Sequence, residues 1–205
     1  MKQIILAITG ASGAVYAQRL AACLVERDVH LHLVISPYGQ RVMADELDVR
    51  RASLEALLGH TPTNATVYPY HDQGARIASG SFLTHGMVVC PCSSNSLGAI
   101  ASGAADNLIA RAAAVTLKER RRLILVPRET PLSLIEVQNM LRITEAGGII
   151  CPASPGFYLR PQSVAELVDF VVGRVLDLLE VPHDLHTRWD PQKHARPGGH
   201  QSDGG

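Results

Sequence analysis

The sequence predicts an α/β domain, a parallel sheet with helices on both faces, and three observations carry that prediction. Apolar runs rich in β-branched residues recur along the chain, too short and too continuous for amphipathic helices, and so read as buried strands. Helical patterns separate most of them, and such alternation implies parallel crossovers onto both faces of one sheet. Aromatics make up only 4% while alanine is plentiful, which favours helix-rich packing over an all-β sandwich. With 205 residues the chain suffices for one domain with a sizeable core and not for two ordinary ones.

The first strand is "QIILAIT" (3–9). A turn, Gly10-Ala11-Ser12-Gly13, leads into a helix on which Ala17, Leu20, Ala21 and Leu24 fall at i, i+3, i+4 and i+7, with Gln18, Arg19, Glu26 and Arg27 facing away. "HLHLVIS" (30–36) is the second strand and ends in Ser36-Pro37. "TVYPY" (66–70), "GMVVCP" (86–91), "RLILVP" (122–127) and "GGIICP" (147–152) supply the others. The last helix opens with Ser163 and Glu166, an S-x-x-E capping box after Pro161. Val164, Leu167, Val168, Val171, Val175 and Leu178 form its apolar stripe. Arg174 falls on the border of that stripe, and Glu166, Asp169, Asp177 and Glu180 lie opposite. The domain is therefore bounded at 1–181. Residues 182–205, rich in Pro, Gly and His, read as a flexible tail, and the irregular spacing of its four histidines favours solvation over a metal site.

Nineteen basic residues balance nineteen acidic ones, so no net field recruits nucleic acid or an anionic membrane. The apolar runs fall far below the ~20 residues of a membrane span. Lys2 leads straight into a strand, without a signal-peptide layout. Cys23, Cys90, Cys92 and Cys151 do not form a secreted disulfide pattern. These features point to the cytoplasm. Cys90-Pro91-Cys92 lacks a second pair and reads as buried strand-end thiols rather than a metal site.

Three strand ends carry chemistry. The opening turn is G-x-x-G, without the G-x-G-x-x-G and acidic strand end of a dinucleotide fingerprint, and without the Gly-Lys-Ser/Thr of a P-loop. Two readings of it stand: a seat for an anionic or polar ligand group, or a tight turn with Ser12 as N-cap. After the strand at 86–91, Ser93, Ser94, Asn95 and Ser96 gather hydroxyls, an amide and free N–H groups, a cradle for phosphate or a ribityl chain. "LVPRETPLS" brings out Arg128 and Glu129 together at a third strand end. Arg111 follows Asp106-Asn107-Leu108, and the basic run Lys118, Arg120, Arg121, Arg122 reads in its arginines as a solvated helix end. "CPASPGFYLRPQS", with Phe157 and Tyr158, is long enough to lie over a pocket. Residue by residue, this amounts to a phosphorylated-ligand pocket without a reaction.

From Gly10 to Arg174 the sequence resembles the UbiX-type flavin prenyltransferases, flavodoxin-like FMN-binding flavoproteins. The matching pieces are "TGASGA", "DNLI-R" with "LKERR", "LVPRE-P", "PGFY-PQS" and "LVDFVV-R", in that order. The resemblance implies a single Rossmann-like (flavodoxin-like) domain. It also implies an enzyme that joins the dimethylallyl group of dimethylallyl monophosphate to reduced FMN without a metal, giving prenylated FMN for UbiD-type decarboxylases. Homododecamers with active sites at subunit interfaces are implied as well. Carried onto this chain, Gly10, Ala11, Ser12, Ser36, Ser93, Ser94, Asn95, Ser96 and Arg128 match FMN-binding positions. Tyr158 and Arg174 match positions that bind the prenyl phosphate, and Arg111, Lys118 and Glu129 match charged positions around it. Ser12, Glu46 and Glu129 are the implied catalytic residues, Glu46 and Ser12 through proton handling during ring closure.

One position departs from the family pattern. Many relatives carry a tryptophan shortly before "ASGS", where this chain has Gln73, and so lacks that π-face for an allylic cation. Two rival readings can be weighed. An FMN-dependent oxidative decarboxylase of cysteine-containing substrates would need a catalytic histidine; His71 and His85 are available, but no motif supports either. A plain flavin carrier would not require the charge of Arg111, Lys118, Glu129 and Arg174.

Overall fold

The computed structural model describes residues 1–185 and 187. Six strands form one all-parallel sheet, β1 (Lys2–Ile8), β2 (Val29–Ile35), β3 (Ala65–Tyr68), β4 (Gly86–Cys92), β5 (Arg122–Pro127) and β6 (Ile149–Ile150), in the order β3-β2-β1-β4-β5-β6. Seven α-helices lie among the described residues: α1 (Ala14–Val25), α2 (Pro37–Leu47), α3 (Leu54–Leu58), α4 (Ser94–Ser102), α5 (Leu108–Lys118), α6 (Leu134–Glu145) and α7 (Val164–Leu178).

The strands are apolar on both sides because both faces are covered. Alternate residues of β1 enter different cores: Ile4, Leu6 and Ile8 pack with α1 and α7, while Ile5 and Ala7 pack with α4 and α5. The strand order reverses direction between β1 and β4, and their carboxyl ends flank the crevice where doubly wound sheets bind ligands. Thr9, at the end of β1, ties the two sides together. Its hydroxyl donates to the Pro91 carbonyl at 2.8 Å and accepts from the Ser93 N–H at 2.8 Å.

Several local expectations are corrected. Arg19 does not face away, because its guanidinium meets Asp169 of α7 at 2.6 Å. Asp169 accordingly turns toward α1. Arg121 is no solvated helix end: it donates to the carbonyls of Gly80 and Phe82 and clamps the loop before β4. On α7, Ser163 caps the Glu166 N–H, but Glu166 accepts from the Gln162 N–H, so the reciprocal box is incomplete. A complete one, Ser133 with Glu136, starts α6 instead. Val164, placed in the α7 stripe, is exposed, and Val172 and Leu176 are buried in the core.

The domain does not stop at 181. Arg27 donates to the Pro182 carbonyl at 2.8 Å, the His183 side chain is 1% exposed, Leu185 packs on the core and Thr187 is buried. A single leucine among polar residues gives no periodicity, which is why this packed return is invisible in the sequence. The rest of the expected tail, with its remaining histidines, lies outside the described residues.

Candidate active site

The site begins with how α1 starts. Gly13 has φ 111°, a left-handed conformation that only glycine adopts without strain, and it offers no side-chain cap. Ser12 is therefore not the N-cap. The cap comes from another helix: the Glu46 carboxylate of α2 accepts from the Gly13 N–H at 2.9 Å and the Ala14 N–H at 2.8 Å. A negative charge at a helix N-terminus is stabilised by the unpaired N–H groups and the helix dipole. Burial opposes ionisation of Glu46, but the Ser12 hydroxyl, these two N–H groups and the Arg128 guanidinium outweigh it and hold the carboxyl below the usual range. The anion seat anticipated at the G-x-x-G turn thus belongs to the protein's own carboxylate. Arg128 completes the knot, donating from Nε to the Ser12 carbonyl at 3.0 Å.

The neighbouring helix starts remain available. A cleft of about 530 Å³ is lined by Gly10, Ser36, Pro37, Tyr38, Tyr70, Ser93, Asn95 and Ser96. It lies over the N-termini of α2 and α4, whose free N–H groups suit a phosphate. Ser36 caps α2 through the Gly39 N–H at 2.9 Å, and Ser93 caps α4 through the Ser96 N–H at 3.2 Å. These two hydroxyls thus shape the cradle while Asn95 and Ser96 face it. A Cβ on Gly10 would sit 2.5 Å from the Tyr38 Cβ, so the turn passes that close only without a side chain. Tyr38, 78% exposed, and Tyr70 add aromatic surface. Polar N–H groups at one end and rings on the wall fit a phosphorylated, flat heterocyclic ligand.

A second cleft of about 230 Å³ adjoins the end of β5, lined by Arg128, Glu129, Met140 and Ser154 among others. The Ser94 hydroxyl donates to Glu129 Oε2 at 3.4 Å, linking the two loops. Thus Gly10, Ser36, Ser93, Asn95 and Ser96 share one cleft, Ser12 and Glu46 join Arg128 beside it, and Ser94 joins Glu129. Ala11 is buried in the turn.

The other candidates do not line this cleft. Arg111 and Lys118 are exposed on α5, Lys118 beside Glu119 at 3.4 Å, and neither lines the cleft. Tyr158 packs edge-on to Phe170, and Arg174 pairs with Asp177 on α7. Gln73 donates to the Asp106 carbonyl at 2.9 Å. His85 accepts from the Gln3 N–H, at the opposite end of β1 from the cleft, and His71 is exposed. Burial pushes the Cys90 and Cys92 thiols up, Cys92 to about 12, so neither is a ready nucleophile. Among the described residues no group of His, Cys, Asp and Glu could hold a metal ion, and no helix is long and apolar enough to cross a membrane.

Sequence reasoning missed Thr9, Tyr38 and Tyr70. Thr9 has a signal, a hydroxyl directly after the apolar run Ile4 to Ile8. Tyr38, directly after the strand-end Ser36-Pro37, has one too.

The flavoprotein family matches residues 1–176. The flavin prenyltransferase UbiX of Pseudomonas aeruginosa is 48% identical over 199 residues, covering 93% of this chain and 95% of that protein. The fold is similar to the crystal structure of AnUbiX (PadA1) in complex with FMN and dimethylallyl pyrophosphate, with TM-score 0.83, 42% identity, and coverage of 92% of this chain and 97% of that one. It is also similar to a dodecameric FMN-dependent UbiX-like decarboxylase from Escherichia coli O157:H7, with TM-score 0.85, 40% identity, and coverage of 92% and 99%. The chain belongs to the flavoprotein family and, within it, to the UbiX-type flavin prenyltransferases.

Proposed function

We propose that this chain transfers the dimethylallyl group of dimethylallyl monophosphate to reduced FMN, giving prenylated FMN for a UbiD-type decarboxylase in the cytoplasm. The observation that carries the reading is the meeting of the β1, β2 and β4 ends at one cleft, with the Ser12–Glu46 pair and Arg128 beside it.

Gly10, Ser36, Asn95, Ser96 and the N–H groups starting α2 and α4 would hold FMN, with Arg128 beside them. When bound, the reduced flavin supplies the nucleophile toward the allylic carbon, and phosphate is the leaving group. The protein then has three tasks. Its loops align two ligands and exclude water. Arg111, Lys118, Tyr158 and Arg174 meet the negative charge that develops on the departing phosphate. Ser12 handles a proton at its hydroxyl, with ionised Glu46 as the acceptor behind it, and Glu129 orients the donor from the β5 end.

Arg111, Lys118, Tyr158 and Arg174 lie outside the FMN cleft of their own chain, so we place the complete site at an interface between copies, in a homo-oligomer of dodecameric size. The deciding experiment is anaerobic incubation with reduced FMN and either dimethylallyl monophosphate or the pyrophosphate, followed by mass analysis of the flavin. The expected product carries one added dimethylallyl unit with the monophosphate. Unchanged flavin with both donors would refute the reading.

A further inference from the structure

Past α7 the chain turns back and delivers a buried histidine to the helix it has just left. Arg27, just past the end of α1, holds the return, donating to the Pro182 carbonyl at 2.8 Å and pairing with Asp184 at 3.2 Å. Thr187 lies against Gly173, where a Cβ would collide with its Cγ2, so Thr187 sits on the backbone of α7. Between these anchors the His183 ring is 1% exposed. Its Nδ1 accepts from the Leu185 N–H at 3.2 Å. An Nδ1 that accepts leaves the proton of a neutral imidazole on Nε2, which therefore donates to Asp177 Oδ1 at 3.1 Å. Asp177 Oδ2 in turn accepts from Arg174 Nη1 at 3.1 Å.

Arg174 itself is half exposed. It makes no hydrogen bond through Nε or Nη2 among the described residues. Its guanidinium also lies near the end of β6: burial pushes the Cys151 thiol up, and the Arg174 charge opposes that rise. A surface Arg–Asp pair three residues apart on a helix would normally fix little, because both side chains keep their rotamers. This pair differs in that its carboxylate is held from behind by a buried donor.

We propose that Asp177 and His183 are positioning residues for Arg174, fixing one guanidinium nitrogen so that the remaining edge is presented to a phosphate. This rests on the reading of Arg174 as a prenyl-phosphate ligand. A flexible arginine gives up several rotors on gripping a ligand, whereas one held in place beforehand gives up fewer. The benefit appears in donor binding rather than in the chemical step.

The test is a double-mutant cycle with the donor varied at saturating reduced FMN, thermal unfolding being recorded for every variant. Asp177→Asn should raise KM for dimethylallyl monophosphate by about fivefold with kcat within about twofold of wild type, and should add nothing in an Arg174→Ala background. His183→Leu, which keeps bulk but loses the donor, should behave like Asp177→Asn. His183→Gln, whose amide can still donate, should restore most of the wild-type KM. An unchanged KM in Asp177→Asn, or the same rise with and without Arg174, overturns the positioning role. If Arg174→Ala itself leaves donor dependence unchanged, the phosphate reading of Arg174 has failed and the relay falls with it.

Discussion

Glu46 is exposed yet held ionised by the turn it caps, and this combination defines what it can do. A carboxylate whose two nearest partners are backbone N–H groups cannot serve as a resting acid; it accepts. Ser12 is the hydroxyl it touches, so a proton leaving substrate at Ser12 has an acceptor in place. Glu46→Gln keeps the shape and loses the charge. Single-turnover prenylation should slow by about 10²-fold in this variant and in Ser12→Ala, while FMN affinity stays near wild type. Wild-type rates in both would remove the pair from the chemistry. The charge also matters to folding. A carboxyl held below its ordinary value stabilises the fold above the unfolded pKa, and that contribution disappears as pH falls through the folded one. Acid should therefore narrow the stability gap between wild type and Glu46→Gln.

At the scale of elements, β2 carries a polar bridge through an apolar sheet. His32 is 1% exposed, its Nε2 lies 2.8 Å from Gln3 Oε1 on β1, and its Nδ1 lies 3.0 Å from the Tyr68 hydroxyl on β3. The Gln3 oxygen can only accept, so Nε2 carries the proton and the Tyr68 hydroxyl donates to Nδ1. Burial, with His30 and Arg76 nearby, lowers the His32 pKa to about 4. In the unfolded chain this histidine binds a proton near pH 6.5; in the folded one it refuses it. Stability is thus intact above that value and falls between about pH 6.5 and 4, by ~3 kcal/mol at full extent. Denaturant midpoints at fixed protein concentration should show this slope in wild type and a shallower one in His32→Gln; equal slopes would mean that His32 titrates freely. Elements of this kind were only half legible. The strands stood out because two-sided burial demands unbroken apolar runs, and the ligand loops followed because a parallel sheet gathers its strand ends on one side. What the local pattern could not disclose were partners far along the chain: Glu46 on Gly13, Arg121 on the Gly80 carbonyl, Arg19 on Asp169, and the return of His183 to α7. Backbone carbonyls and distant carboxylates leave no spacing to read.

For the whole molecule, the separation of the two halves of the site is the informative fact. Gly10, Ser36, Asn95 and Ser96 line one cleft, and Arg111, Lys118, Tyr158 and Arg174 are not among its lining residues. The chain also exposes apolar side chains on α6: Leu134 at 70%, Ile135 at 68% and Leu141 at 56%. An exposed apolar face marks an interaction surface, and in a closed homo-oligomer a residue remote from its own cleft is brought to a neighbour's. Two defective variants should then repair one another. Ser12→Ala spoils the cleft half and Arg174→Ala the phosphate half, and mixing them puts both intact halves in no single chain. If each site draws its halves from two subunits, equal mixing after dissociation and reassembly restores both intact halves at roughly a quarter of the sites. The expected result is prenylation by the mixed oligomer at that fraction of wild type, well above either variant alone, at subsaturating donor. Activity equal to the mean of the two variants would show that each chain completes its own site, and the interface reading would be wrong.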